Sequence, residues 1–482
     1  MLTLINTNRM TPPIAPLGLD YLAGAMRQAG NEVELVDLNL AEDSEAALDD
    51  HFGRCQPDLV GLSFRNADDC FWPSGESFVP VLQRDIAAVR RHTDAPIVLG
   101  GVGYSIFPQA LLAATGADFG IRGDGEDATG RLLHEIRGQR RWDRVPGLIY
   151  RQDGVLRANP PAWPSPLRVP TARDGVDNQT YFRRGGQLGV ETKRGCPRQC
   201  SYCADPLAKG RTHRLREPAE VAEEVAALAD RGLDVLHLCD AEFNLPLDHA
   251  LAVCDALLAR RLGERVRWYA YLAVVPFPGE LAERMRRAGC EGINFTGDST
   301  HPRMLATYRQ PHCREDVAQA VRNCRRHGLA VMLDLLLGGP GETPETATET
   351  VASVQRMAPD CAGAALGIRL YPGTRMETLV AEEGPLESNP GVYRHNAGPI
   401  DLLQPTFYIS PSLGERPARL IGELIGDDPR FFPPEEATHD GETSEARDHN
   451  YNANQALVDA IAAGARGAYW DILRKRRTGN LA

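Results

Sequence analysis

No apolar run in this 482-residue chain approaches the length of a membrane span. The longest, Leu329 to Leu337, is interrupted by Asp334 and falls well short of the ~20 residues that a bilayer-crossing helix requires. A membrane protein is not expected, and no signal peptide is visible where Met1-Leu2-Thr3-Leu4-Ile5-Asn6 runs into a strand pattern. Positive charge is scarce too: 53 lysines and arginines face 65 acids, a net charge of −12. Nucleic acid is therefore not the expected partner, because binding phosphates takes a basic surface. The one basic run, Arg474-Lys475-Arg476-Arg477, reads as the solvated end of a last helix. Eleven cysteines, an odd number without framework spacing, point to a reducing cytoplasm rather than to disulfides. No second C-x2-C closes a zinc ribbon. No G-x-G-x-x-G turn follows the first strand either; its loop, Asn6 to Leu17, is long and carries Pro12, Pro13 and Pro16. The remainder, 43% hydrophobic and 24% charged, is ordinary for a globular chain of about three domains.

What is present is a compact thiol triad. Cys196, Cys200 and Cys203 stand in Arg194-Gly195-Cys196-Pro197-Arg198-Gln199-Cys200-Ser201-Tyr202-Cys203, with C-x3-C-x2-C spacing. Cluster irons are held by thiolates and a cubane has four corners, so three cysteines leave one iron free for a substrate or cofactor. The alternatives are a zinc site, which would want a fourth Cys or His nearby, and a chance grouping of buried thiols. The other eight cysteines, Cys55, Cys70, Cys239, Cys254, Cys290, Cys313, Cys324 and Cys361, show no ligand spacing, so packing is expected of them and no second cluster.

Over the first ~140 residues, short β-branched runs alternate with amphipathic helices, as in a parallel sheet wound on both faces. The expected strands are Leu2–Asn6, Glu32–Leu38, Asp58–Phe64, Pro96–Gly100 and Asp118–Arg122, and the first helix carries Leu19, Leu22, Met26 and Ala29 at core spacing. Ligands of such sheets lie beyond the carboxyl ends of the strands, and unusual residues collect there: Asn6-Thr7-Asn8, Ser63-Phe64-Arg65-Asn66, Gly100-Gly101-Val102-Gly103 and Gly123-Asp124-Gly125-Glu126. Singly these are weak signals, and each glycine can be a plain turn. His51 falls in a predicted helix and reads as a surface residue.

Residues 141–187, with Pro146, Pro160, Pro161, Pro164, Pro166 and Pro170, read as a semi-rigid connector. A second α/β alternation follows, with strands expected at Leu188–Lys193, Asp234–Cys239, Arg265–Leu272, Cys290–Thr296, Leu329–Leu337 and Ala364–Leu370. Six β/α units suggest a partial barrel with its site at the strand ends; the cysteine loop follows the first strand. Asp240, Glu242 and Asn244 end the second strand and Asp298 and Ser299 the fourth, as candidate cofactor contacts. Gly338-Gly339-Pro340-Gly341-Glu342-Thr343 follows the fifth; its plain reading is a turn before a helix. Residues 385–482 are expected to cap the barrel and shape the substrate pocket through one final helix with Leu457, Ile461 and Trp470. His395, His449, Tyr451 and Asn452 are pocket candidates there.

The cysteine loop, with Tyr202 before its last thiol, resembles the radical S-adenosylmethionine (SAM) superfamily, and Gly338 to Thr343 resembles that superfamily's G-x-P-G-E-T form. Pro16-Leu17-Gly18-Leu19-Asp20-Tyr21-Leu22-Ala23, Gly61-Leu62-Ser63-Phe64 and Gly123-x-Gly125-Glu126 resemble the cobalamin-binding domain ahead of the barrel in its cobalamin-dependent members. The resemblance covers about Met1 to Gly384. It implies an α/β chain with a doubly wound, Rossmann-like cobalamin-binding domain (1–140), a partial (β/α)6 radical SAM barrel (188–384) and a small C-terminal region. It further implies a [4Fe–4S] cluster on Cys196, Cys200 and Cys203, with SAM chelating the open iron. Cobalamin would lie among Asn8, Ser63, Phe64, Arg65, Asn66, Gly100, Gly101, Gly103, Gly123 and Glu126. SAM would lie near Tyr202, Asp240, Glu242, Asn244, Asp298, Ser299 and the residues Gly338, Gly339, Pro340, Gly341 and Glu342.

The chain departs from the methionine-synthase type, whose D-x-H-x-x-G motif supplies a histidine to cobalt; no histidine stands in the first loop. A cobalt without that ligand more readily reaches Co(I), which takes a methyl group from SAM. Arg65, which follows the third strand at the crevice, is placed near the lower corrin face, and having no lone pair to offer it would keep that face unligated; the competing reading is a surface ion pair with Asp68 or Asp69. The expected activity is C-methylation of a small biosynthetic intermediate, with cofactors carrying the hard chemistry and a flavodoxin- or ferredoxin-type electron donor. The layout resembles the branch that methylates an aromatic amino acid such as tryptophan, where methylcobalamin attacks an electron-rich centre. The alternatives are oxidation, cyclisation or ring rearrangement through a 5′-deoxyadenosyl radical, or a cobalamin-responsive sensor.

Overall fold

The computed structural model describes residues 1–395, 398–435, 451 and 453–479. Its first sheet has seven strands: β1 (Leu2–Asn6), β2 (Val33–Asp37), β3 (Leu59–Ser63), β4 (Ile97–Gly100), β5 (Phe119–Ile121), β6 (Leu148–Gln152) and β7 (Val155–Ala158), in the order β2-β1-β3-β4-β5-β6-β7. β1 to β5 are parallel, and burial on both faces explains the Val/Ile/Leu content of the inner strands β1, β3 and β4. The chain leaves β1 for β2 on one side and returns to β3 on the other. The crevice therefore opens where Asn6 and Ser63 stand in register, the position at which an open α/β sheet takes its ligand.

The second sheet is parallel throughout. It contains β8 (Leu188–Val190), β11 (Val235–Leu238), β12 (Arg267–Ala273), β13 (Cys290–Asp298), β14 (Ala330–Leu337), β15 (Cys361–Leu366) and β19 (Phe431–Phe432), with β8 and β19 at its two edges. β9 (Lys193–Arg194) and β10 (Arg214–Leu215) bracket the cysteine loop as an antiparallel pair. β16 (Ile368–Arg369), β17 (Val392–Arg394) and β18 (Thr406–Tyr408) form a small separate sheet. Six β/α units thus stand where they were expected.

Two C-terminal helices, Gln455–Ala462 and Tyr469–Arg477, plug the barrel from its amino end. Leu457, Ile461, Trp470 and Leu473 pack there with Val235, Tyr269, Met332, Cys361 and Phe432. Tyr269 donates a hydrogen bond to Asp471 at 2.8 Å. Trp470 covers Gly292 so closely that a Cβ there would lie 2.9 Å from the indole. The single final helix expected from sequence is therefore two. Its basic end is partly engaged: Arg474 and Lys475 pair with Asp471, and the Arg477 guanidinium stacks 4.0 Å from the Phe432 ring centroid.

Three further expectations are corrected. The connector across 141–187 donates β6 and β7 to the first sheet as an antiparallel hairpin, then forms the helix Asn178–Gly185. His51 is not on the surface: it is 5% exposed and its Nε2 lies 2.9 Å from Thr3 Oγ1. The sixth barrel strand starts at Cys361 rather than Ala364, because Cys361, Ala362 and Gly363 pair with Met332, Leu333 and Asp334 despite their low β propensity. Of the solitary cysteines, Cys254, Cys290, Cys324 and Cys361 are buried as expected, whereas Cys70 and Cys313 are exposed.

Candidate active site

The two sheets face each other across a cavity of ≈ 620 Å³. Asn8, Ser63, Arg65, Asn66, Gly100, Gly101, Gly123 and Glu126 line it from the first domain, Gly189, Glu191, Arg194, His237, Cys239 and Tyr271 from the barrel, and Tyr451, Ala468, Tyr469 and Trp470 from the C-terminal region. Eight of the ten sequence candidates for the first domain thus converge on one wall. The other two do not. Phe64 packs into the hydrophobic core, and Gly103 sits against the backbone of Arg65, whose carbonyl accepts its N–H at 2.8 Å. Their role is to hold the loops in place.

Arg65 is exposed on the cavity wall, its guanidinium 2.8 Å from the Met10 sulfur. The ion pair weighed against it is absent, since Asp68 is engaged by Arg369 at 2.8 Å and Asp69 accepts from Ser74. Glu126 also lines the cavity but pairs with Arg194 at 2.9 Å, tying the last loop of the first sheet to the start of the cysteine loop. Of the C-terminal candidates Tyr451 reaches the cavity. His395 is exposed, beside Gly75, and His449 and Asn452 lie outside the described residues.

The cysteine loop leaves β9 through Gly195, whose φ of +85° and closeness to the Thr212 carbonyl admit no side chain. Burial pushes the three thiols up, Cys200 to about 12, with Asp298 and Glu242 adding to the effect on Cys200. A cation or metal is what would draw thiolates from such a site. Tyr202 donates to Asp298 at 2.7 Å, and Gln310 reaches Asp298 at 2.6 Å and the Cys200 sulfur at 3.5 Å. Gln310 is a residue that sequence reasoning missed. It lies past the fourth strand in a stretch without motif, and only the fold brings it to the thiols.

Glu242 projects toward the same loop. One of its oxygens accepts from Thr296 at 3.0 Å, the other is buried without a partner, and burial raises its pKa to about 7. The remaining strand-end candidates each have partners within the protein. Asp240 caps Thr192 at 2.8 Å and pairs with Lys193 at 3.2 Å. Asn244 binds Ala273 and Pro276 through its amide, and Ser299 meets Thr350 at 2.8 Å. Glu342 accepts the Gly338 N–H at 2.6 Å, which folds the Gly338–Glu342 loop onto itself ahead of the helix Pro344–Met357; Gly339 is closed over by Tyr308, and Pro340 is buried. The loop is thus braced as a turn, with the Gly338 and Gly341 backbone at φ of +93° and +83°.

Comparison with known proteins matches the chain to two domain families, B12 binding domain over residues 5–133 and Radical SAM superfamily over residues 190–354. It is 30% identical to tryptophan 2-C-methyltransferase of Streptomyces laurentii, over 98% of this chain and 96% of that protein. The chain belongs to the cobalamin-dependent radical SAM methyltransferases. The structure of the radical SAM methyltransferase TsrM from Kitasatospora setae, solved with cobalamin and a [4Fe–4S] cluster, superposes with a TM-score of 0.90 at 29% identity, covering 100% of this chain and 98% of that one. A second structure of that protein, with tryptophan and a SAM analogue bound, matches at 0.90 and 31%. The cobalamin-dependent radical enzyme OxsB shares the fold, with a TM-score of 0.70 at 18% identity over 85% of this chain and 64% of that one.

The cofactors of this methyltransferase family are a [4Fe–4S] cluster, SAM and cobalamin, and the residues present fit them. A Cβ at Gly18 or Gly100 would meet nothing within 4 Å and would project into the cavity. Asn8 Nδ2, Gln187 Oε1 and Tyr469 Oη are buried on its wall without partners among the described residues, suited to the amide-fringed edge of a corrin. Among the described residues no three His, Cys, Asp or Glu side chains converge on a single-ion position. Three thiolates that each take a different corner of one cluster do not need such convergence.

Proposed function

We propose that this methyltransferase acts on a carbon of an aromatic amino acid, C2 of the tryptophan indole being the position to which its full-length relative points. The observation that carries the reading is the cavity, in which the corrin-facing loops and the aromatic barrel wall of His237 and Tyr271 share one space. When bound, cobalamin, SAM and the cluster supply the methyl group and its transfer. The chain's own residues bind and orient. Cys196, Cys200 and Cys203 hold the cluster. Glu242, Asp298 and Tyr202 offer hydrogen-bonding groups on the SAM side, and Asn8, Ser63, Asn66, Gly100, Gly101, Gly123 and Glu126 line the corrin cradle. Arg65, on the cavity wall, would face the bound corrin and has no lone pair to offer its cobalt, so it would leave the metal without a protein ligand. A reducing cytoplasm and a flavodoxin- or ferredoxin-type donor go with this reading.

The test is incubation of the anaerobic, cluster-reconstituted, cobalamin-loaded enzyme with methyl-deuterated SAM and tryptophan. Label in 2-methyltryptophan with matching S-adenosylhomocysteine is the expected result. Absence of label from a panel of aromatic amino acids overturns the substrate, and stoichiometric 5′-deoxyadenosine without S-adenosylhomocysteine turns the reading toward oxidation or cyclisation.

A further inference from the structure

One acid inside the barrel has no charge to answer it. Asp334 sits on β14, and among the described residues its carboxyl group takes a single hydrogen bond, from Asn294 Nδ2 at 2.8 Å. Its pKa is pushed up to about 6 by burial, and no lysine, arginine or histidine acts on it. The Asn294 side-chain carbonyl oxygen is buried and has no partner among the described residues. An acceptor left unmet in the interior costs free energy unless something donates to it.

Strand geometry places this pair beside the cavity. Side chains two apart on a strand share a face, and Gly292 faces Trp470 of the C-terminal plug, so Asn294 faces inward as well. Its neighbour in register on β12 is Tyr271, which is 41% exposed because it looks into the cavity. Asp334 is close enough to raise the pKa values of both Tyr271 and Tyr451, two cavity residues. The result is a carboxyl group and an unmet carbonyl side by side, next to Tyr271 and Tyr451 of the cavity wall.

We propose that Asp334 and Asn294 form the subsite for the protonated α-amino group of the substrate. The inference rests on the amino-acid reading above. An ammonium has three donors and one positive charge, and the pair supplies two acceptors and one negative charge. The bland competitor is a neutral carboxyl group paired reciprocally with the amide for structural reasons alone.

The experiment measures binding of tryptophan, tryptamine and indole-3-propionate to the holoenzyme, and methyl transfer to tryptophan, in wild type and in Asp334→Asn and Asn294→Ala. Asp334→Asn is expected to weaken tryptophan and tryptamine by at least about tenfold, as loss of a charged hydrogen bond does. Indole-3-propionate, SAM and cobalamin binding stay unchanged, and the loss in turnover appears in KM. Asn294→Ala is expected to act in the same direction and more weakly. An unaltered ratio of tryptophan to indole-3-propionate affinity in both variants overturns the subsite, as does a uniform loss of all three ligands with cofactor content intact. Wild-type enzyme that binds the amines through Asp334 yet methylates none of them keeps the subsite and overturns the proposed substrate.

Discussion

At the scale of single residues, the decisive groups divide into those with a motif and those without. Cys196, Cys200 and Cys203 were legible because covalent cluster binding imposes a spacing. Arg65 stood out because it follows the end of a strand at the switch point, and it does line the cavity. Gln310 carried no such signal, although its amide bridges the Cys200 sulfur and Asp298. Groups that orient a metal ligand from behind are worth about 10–100-fold in affinity or activity. Gln310→Ala is therefore expected to lower methyl transfer within that range while Cys196 and Cys203 retain the cluster, read by iron content alongside turnover. Arg65→His tests the opposite feature, since imidazole has the lone pair that guanidinium lacks. Its bound cobalamin is expected to show the spectrum of a nitrogen-ligated corrinoid, with methyl loading slowed; an unchanged spectrum would place Arg65 away from the metal.

At the scale of elements, strands and helices were readable wherever hydrophobic period and burial agree, and errors arose where tertiary pairing decided. The hairpin of β6 and β7 illustrates this. Its turn is Asp153-Gly154, with φ of +51° and +77°, a recognised hairpin dipeptide. The surrounding prolines drew attention away from it, and pairing with β5 is a long-range event that no local pattern announces. The Gly338–Glu342 loop is the converse case, where a motif suggestive of a cofactor folds as a self-braced turn. Glu342 within it is buried and has its pKa raised to about 7. A carboxyl group whose folded-state value lies above the unfolded ~4.3 favours the fold fully at low pH and loses that contribution as pH rises through 7. Glu342→Gln removes the titration. The thermal midpoint of wild type is expected to fall relative to that of the variant between about pH 5 and pH 8, and parallel curves would show that the group does not ionise in this range.

At the scale of the whole molecule, the cavity depends on the two domains holding a fixed distance, and one of the ties that fixes it, beside Glu126–Arg194 and Asp68–Arg369, is a buried charge hub. Arg173 of the connector pairs with Asp20 of the helix Leu17–Gln28 at 2.6 Å and with Glu224 of the barrel helix Pro218–Asp230 at 2.9 Å. Arg216 also holds Glu224, at 2.7 Å, and Tyr21 donates to it at 2.9 Å. These partners are as many as 203 residues apart, so nothing in the sequence marks them as a group. Each looks like an ordinary charged residue until the fold buries it. Removing one member of such a network leaves the others charged and dry, at a cost of about 3–5 kcal/mol. Arg173→Met is thus expected to destabilise the protein by that amount in denaturant unfolding. Because the hub joins the cavity-lining helix Leu17–Gln28 to the barrel, the same variant is expected to bind cobalamin more weakly while its cysteine loop, braced separately through Asp298 and Gln310, still takes up iron. Equal loss of iron and corrinoid would mean that the hub supports the barrel itself, whereas selective loss of corrinoid locates its work at the junction that makes the cavity.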